Sequence, residues 1–240
     1  KYGKNKLYIK VKEVFDIDKT SQATPAPTPN IEVKKNDKPE VELFVMSYCP
    51  YGTQMEKGIL PAVAALGNKI NFDIKFTDYA MHGEKELTEE LTQYCVKTGE
   101  PEKFTGYLNC FLEDGNSARC QTKASVNTAK LKTCVAATDK QFKVTENFND
   151  PAKKLWKGDY PPFDIYKDVN AKYGVQGSPT LVINGATVNS GRDSASLLKT
   201  ICSAFNTAPE ECKAALSATA PAAGFGTGAA ASASSASCGN

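Results

Sequence analysis

The chain of 240 residues contains one histidine, His82, and only two arginines, Arg119 and Arg192. A zinc site built on histidine has almost nothing to draw on. The eight cysteines do not make up the loss, because none of their spacings gives paired Cys-x-x-Cys knuckles. Neither a metal nor a cofactor is expected. The shortage of arginine and a formal net charge of +2 leave no basic stripe of the kind a phosphate backbone needs, which argues against nucleic acid as a partner. No apolar run approaches the ~18 residues of a membrane span. No Asn-x-Ser/Thr sequon occurs, which tilts the expected setting toward a bacterial or archaeal envelope, or secretion, over a lysosomal lumen. The chain opens on Lys-Tyr-Gly and reads as processed or trimmed, so a signal peptide or membrane tether would lie upstream of Lys1.

The cysteines stand at 49, 95, 110, 120, 134, 202, 212 and 238. An even number spread through a mid-sized domain implies disulfides and an oxidising, extracytoplasmic compartment. Residues 1–38 read as an isolated strand remnant around Leu7-Tyr-Ile-Lys-Val followed by a Pro-rich linker, Thr-Pro-Ala-Pro-Thr-Pro. A domain over 39–213 follows, with a helical, cysteine-bearing insertion at about 84–169. From 214 to 240 the Ala/Gly/Ser-rich composition reads as an unstructured tail.

Within the domain, Val41-Glu-Leu-Phe-Val-Met-Ser is an apolar strand that runs into Cys49-Pro50-Tyr51-Gly52. Met55, Ile59, Val63 and Leu66 then recur at helical spacing, with Pro61 predicting a kink. Ile70, Phe72, Ile74 and Phe76 alternate as a second strand, parallel to the first after a right-handed crossover. Helices are expected over 87–96, 101–112, 127–137 and 194–205. Between the last two lie Gly177-Ser178-Pro179-Thr180-Leu-Val-Ile and an Asn184-Gly185 hairpin turn. A cysteine between a strand and a helix N-terminus meets unpaired N–H groups and the positive end of the helix dipole, which favour thiolate over thiol. The competing structural reading is a buried or permanently paired cysteine.

These features resemble the thioredoxin-type thiol-disulfide oxidoreductases, in which a strand delivers Cys-x-x-Cys to a helix and a cis-proline loop faces the reactive sulfur. The resemblance implies an α/β, thioredoxin-like fold with a helical, disulfide-bearing insertion, as in the bacterial DsbA type. The gamma-interferon-inducible lysosomal thiol reductases carry such an insertion too, with the signature Cys-Gln-His-Gly-x-x-Glu-Cys-x-x-Asn-x-x-x-x-Cys. His82, Gly83, Glu86 and Cys95 match it in register, whereas Ala80, Met81, Leu87 and Glu90 depart. The resemblance spans about residues 40–213. It makes Cys49, Pro50, Tyr51 and Pro179 the catalytic group and Tyr48, Ser178 and Thr180 the substrate-binding group.

The family's second cysteine is replaced by Gly52. Exchange at Cys49 then needs a small thiol such as glutathione, a redox partner protein, or Cys238 as resolving thiol. Against the last stands the reading of Cys238 as an accidental thiol or an intermolecular crosslink. Cys95, Cys110, Cys120 and Cys134 are expected to form two structural disulfides. Three connectivities are open, and 110 with 120 and 95 with 134 is the favoured one. Cys202 and Cys212 would staple the C-terminal end. His82 reads more simply as a hydrogen-bonded turn residue than as a proton shuttle. The runs Lys34-Lys35 and Glu84 to Glu90 read as solvated faces, and Trp156, Tyr160, Pro161 and Pro162 as packing for the insertion in preference to the lining of a substrate groove beside Cys49. The expected function is thiol-disulfide exchange, of reductase or isomerase type, with protein thiols and disulfides as partners. The competing functions are a degenerate binding module without turnover, and a disulfide-stabilised module held on spacers.

Overall fold

The computed structural model describes residues 33–230 and 236–239. The strand expected near residue 7 and the Pro-rich linker lie outside the described residues. Strand β1 (Glu40–Val45) is the centre of the fold. Its inward residues Val41, Leu43 and Val45 are fully buried, and so is Phe44 on the other face, as a strand covered on both sides requires. Helix α1 (Pro50–Leu66) crosses back to β2 (Asn71–Phe76), which pairs parallel with β1 from Glu40↔Asn71 to Val45↔Phe76.

Five helices follow: α2 (Glu84–Gly99), α3 (Pro101–Asp114), α4 (Ser117–Lys123), α5 (Thr128–Phe142) and α6 (Val144–Phe148). The two shortest, α4 and α6, span seven and five residues, too few for an apolar period to declare itself in the sequence. Disulfides tie α2 to α5 (Cys95–Cys134) and α3 to α4 (Cys110–Cys120). Trp156 stacks on Phe148 below this layer. After α7 (Lys167–Tyr173) come β3 (Gly177–Ser178), β4 (Thr180–Ile183) and β5 (Ala186–Val188). The β4–β5 turn uses Asn184 and Gly185 at φ 49° and 82°, the left-handed pair that a two-residue hairpin of this hand demands. The sheet order is β2-β1-β4-β5, with β4 antiparallel to both neighbours. Helix α8 (Ser194–Cys202) packs beside α1, and Cys202–Cys212 closes its end. Each such bridge stabilises by about 2–4 kcal/mol.

The segment beyond residue 213 departs from the expectation of an unstructured tail. Its described part folds over α1. A small hairpin forms with Ala222 N donating to Gly228 O and Ala230 N to Ala220 O. The Lys57 ammonium donates to the carbonyls of Ala222, Gly224 and Gly226 at 2.7–2.8 Å. Gly224 N donates to Pro50 O and Gly226 N to Leu112 O. Phe225 supplies the apolar anchor, its ring edge-on to Phe111 and to Tyr48 at 5.3 and 5.6 Å. The attachment is thus made largely by backbone carbonyls on one half-buried cation, which composition does not display. At the chain's end β6 (Cys238–Gly239) pairs antiparallel with β3.

Replacing Phe225 by alanine, or Lys57 by methionine, should release this hairpin without unfolding the domain. Amide exchange over 220–230 should speed up by on the order of tenfold or more, while the denaturant midpoint of the domain moves little. Unchanged protection in both variants would refute the anchoring.

Candidate active site

The β1–α1 junction has to expose a sulfur at a helix start while leaving few backbone N–H groups without acceptors. The acceptors come from three distant places. Met46 N donates to Ser178 Oγ at 2.8 Å, Ser47 N to Glu90 Oε1 at 3.1 Å and Tyr48 N to Glu86 Oε2 at 3.1 Å. Cys49 N turns back to Met46 O. Cys49 is the N-cap of α1, Pro50 sits at the first helical position, where a missing N–H costs nothing, and Gly52 N donates to Cys49 Sγ at 3.4 Å. A negative charge on that sulfur therefore meets a peptide N–H and the positive end of a 17-residue helix.

Cys49 is joined to Cys238, 189 residues later, with Cα atoms 6.1 Å apart. The tail covers the sulfur so that Cys49 is fully buried. Ser178 lies against it: the Ser178–Pro179 peptide is cis, and the Ser178 carbonyl is 3.4 Å from Cys49 Sγ. Thr180 Oγ1 donates to Gly177 O at 2.8 Å and lines the groove beside Pro179 and Arg192. Met46, Cys49, Tyr51, Tyr79, Met81, Tyr160 and Cys238 pack as one cluster. Among the described residues no cluster of acidic, cysteine and histidine side chains suits a metal.

Gly52, at the position of the family's second cysteine, has no room for a side chain. A Cβ there would press on Ser178 Oγ and on the Met46 carbonyl, 3.1 Å away. Ser178 thus occupies the space a local resolving sulfur would need.

One residue falls elsewhere than expected. Tyr48, assigned to substrate, packs in the insertion between Phe111 and Phe225, with Lys85 Nζ over its ring at 4.5 Å. Burial, with Glu89 and Glu86 nearby, pushes its phenol upward. His82 has its Nδ1 2.6 Å from Glu86 Oε2, which fixes the loop before α2.

Within the run Glu84 to Glu90, expected as a solvated face, Glu84 is exposed but the structure corrects the rest of its glutamates: Glu86, Glu89 and Glu90 are buried. Glu86 accepts from the backbone of Tyr48, Met81 and His82, so one carboxylate holds both loops that flank the sulfur. Glu89 accepts from Tyr107 Oη at 2.7 Å and Gln93 Nε2 at 2.9 Å. The signal was present in the spacing, since Glu86 and Glu90 are four apart and flank Leu87 and Leu91 on the inward face. Beneath them, Glu56 of α1 is fully buried, and desolvation, then the charge of Glu89, pushes it up to about 8. Desolvation raises Glu89 to about 7 against its hydrogen bonds, and raises Glu90 well above the ordinary range, with the Glu86 charge adding to it.

The fold and the sulfur–proline geometry define the class: a DsbA-like thioredoxin fold with a helical insertion. It matches oxidised DsbA from Mycobacterium tuberculosis at TM-score 0.52 and 18% identity, over 78% of this chain and 91% of that one. The reduced form of the same protein gives 0.50 and 17%, over 75% and 94%. Oxidised BdbD from Bacillus subtilis gives 0.50 and 16%, over 76% and 92%. No family model matches the chain, and no curated protein matches it by sequence. At such identities the likeness is one of fold.

The raised carboxyls have a thermodynamic consequence. A group whose folded pKa lies above its unfolded value stabilises the fold fully below the unfolded value and loses that contribution as pH rises through the folded one. Unfolding free energy should therefore fall between pH 4.5, the ordinary glutamate value, and about 8. Glu56→Gln should flatten that slope and make the protein more stable than the parent at pH 8, by on the order of a few kcal/mol. Denaturant titrations at several pH values test this, and parallel profiles for the two proteins would contradict it.

Proposed function

We propose that this protein carries out thiol-disulfide exchange on protein cysteines, with Cys49 as the nucleophile and Cys238 as the resolving thiol. The observation that carries the reading is the Cys49–Cys238 disulfide, formed with Cys238 strand-paired to Ser178 beside Pro179. In the reducing direction the Cys49 thiolate attacks a substrate disulfide. The substrate S–S bond breaks, a mixed disulfide forms, and the departing substrate thiolate takes up a proton. The Cys238 thiolate then attacks Cys49 Sγ, releases the second substrate thiol and leaves the Cys49–Cys238 bond. A small thiol of the glutathione class or a redox partner protein supplies the two electrons that restore both thiols. Run backward from the oxidised form, the same steps oxidise a substrate dithiol.

Several features support this assignment. The helix N-terminus and Gly52 N–H favour negative charge on the sulfur. Pro50 fixes the helix start, Tyr51 shields the sulfur, and Pro179 with Thr180 borders the groove. Four disulfides among the described residues fit an extracytoplasmic setting, a bacterial or archaeal envelope or secretion, and among them no helix is long and apolar enough to cross a membrane. The matches at His82, Gly83, Glu86 and Cys95 leave kinship with the lysosomal reductases as a further part of the proposal. A second reading, a sealed binding module without turnover, draws on the complete burial of Cys49 beneath the tail.

Reduction of a fluorogenic disulfide peptide by dithiothreitol separates the two readings. Cys49→Ser should fall to the uncatalysed background. Cys238→Ser should accumulate a Cys49 mixed disulfide detectable by mass and turn over about tenfold or more slowly, because resolution becomes bimolecular. A Cys49→Ser protein as active as the parent would leave the binding module standing.

A further inference from the structure

The end of the chain lies in the groove as a ligand would. β6 runs antiparallel to β3, with Cys238 opposite Ser178 and Gly239 opposite Gly177. Two residues before the sulfur, the Ala236 carbonyl accepts from Arg192 Nη2. Arg192 is held for this by Gln54 Oε1 on Nη1 at 2.9 Å and by the Tyr51 ring, whose centre is 5.5 Å away. At the residue after the sulfur the groove narrows. A Cβ on Gly239 would run into Tyr79 Oη, the Gln176 carbonyl oxygen and Gly177 Cα. Tyr79 is not free to yield, since its hydroxyl donates to the Gln176 carbonyl at 2.6 Å and its ring packs on Tyr160. Gly239 also has φ +93°, a conformation that side chains disfavour. The facing strand is bare as well, because a Cβ on Gly177 would meet the Cys238 carbonyl.

On either side of this constriction the groove widens. A cavity of about 560 Å³ bounded by Pro179, Thr180 and Arg192 adjoins Ser237. Another of about 590 Å³ bounded by Tyr79, Lys157, Tyr160 and Gln176 adjoins Gly239. Side chains can therefore be accommodated upstream and downstream, but not directly after the cysteine.

Resting on the exchange reading above, we propose that the groove selects its partner cysteine by the residue that follows it. The substrate is an extended x-x-Cys-Gly segment of a protein or peptide, and the tail is an intramolecular copy of it. β3 and Tyr79 read the Cys-Gly pair, and Arg192 reads the carbonyl two residues earlier. The step balances without an added oxidant. The thiolate of the incoming segment attacks Cys49 Sγ, the Cys49–Cys238 bond breaks as the new disulfide forms, and Cys238 leaves as a thiolate and takes a proton from solvent.

The test uses the oxidised full-length chain and the peptide Ala-Ser-Cys-Gly-Asn, alongside versions with alanine or valine replacing the glycine. The Cys49 adduct is quantified by non-reducing mass spectrometry. The glycine peptide should give at least about tenfold more adduct than the others. Equal yields overturn the selectivity while leaving exchange at Cys49 intact, and no adduct from any of the three overturns both. Glutathione, which ends in Cys-Gly but has nothing at the Ala236 position, should give less than the pentapeptide if protein segments are the partner. An equal yield would assign the same Cys-Gly site to small thiols. Independently of any added peptide, Gly239→Ala in the full chain should make the Cys49–Cys238 bond about tenfold easier to open with dithiothreitol. An unchanged opening equilibrium would count against the proposal.

Discussion

The site depends on one accounting constraint, the backbone N–H groups between β1 and α1. This stretch turns out of the sheet too early for strand pairing and too late for the helix to satisfy it. Buried amides left without acceptors would cost on the order of 1–3 kcal/mol each. The chain meets the constraint with side chains 132, 43 and 38 residues away: Ser178 for Met46, Glu90 for Ser47 and Glu86 for Tyr48. The cysteine that follows is therefore held by the proline-loop strand on one side and by the insertion on the other. The insertion cannot be a passive decoration, because α2 carries two of the three acceptors.

That solution introduces a second problem. Glu86 and Glu90 must be buried to reach the loop, and Glu89 and Glu56 lie close enough to feel them. Four buried carboxylates cannot all be charged in a medium that solvates ions poorly. Glu86 accepts hydrogen bonds from the backbone of both flanking loops. Desolvation pushes Glu56, Glu89 and Glu90 toward the neutral form, so protons are held close to the loop that carries the sulfur. The Cys95–Cys134 and Cys110–Cys120 bridges hold this costly arrangement together across the helical layer, beside an apolar cluster that includes Val96, Tyr107, Phe111 and Leu131.

Much of the frame was legible in the sequence. The apolar run 41–45, the alternation of Phe72, Ile74 and Phe76 and the Asn184-Gly185 turn carry periodic or conformational signals that tertiary context did not override. What escaped the reading was determined by partners far away in the chain. Glu86 and Glu90 look like any exposed helix charges until the amides they serve are known. Tyr48 adjoins the cysteine in sequence, but the chain turns between them, so its ring goes to Phe111 and Phe225. The Ala/Gly/Ser tail lacks apolar variety, yet its use is as a series of carbonyls around Lys57, and small residues expose carbonyls well.

On the exchange reading proposed above, the tail supplies the second sulfur that a single-cysteine motif lacks. With Ser178 Oγ filling the space beside Gly52, a resolving sulfur has to come from outside the first turn of the helix. A free chain end would find Cys49 only at the effective concentration its tether length allows, which falls as the tether lengthens. The Lys57 and Phe225 contacts shorten that tether: the last carbonyl held by Lys57 belongs to Gly226, 12 residues before Cys238 in a chain where the two sulfurs are 189 apart. The ring-closing cost is thereby moved from the exchange step to folding, where the hairpin on α1 offsets it. What remains for the sulfur itself is a short excursion, ended by two strand-paired residues on β3. The same geometry makes the tail a competitor of any external chain for that edge, so on the exchange reading proposed above, reduction of the Cys49–Cys238 bond would both free Cys49 and open the groove.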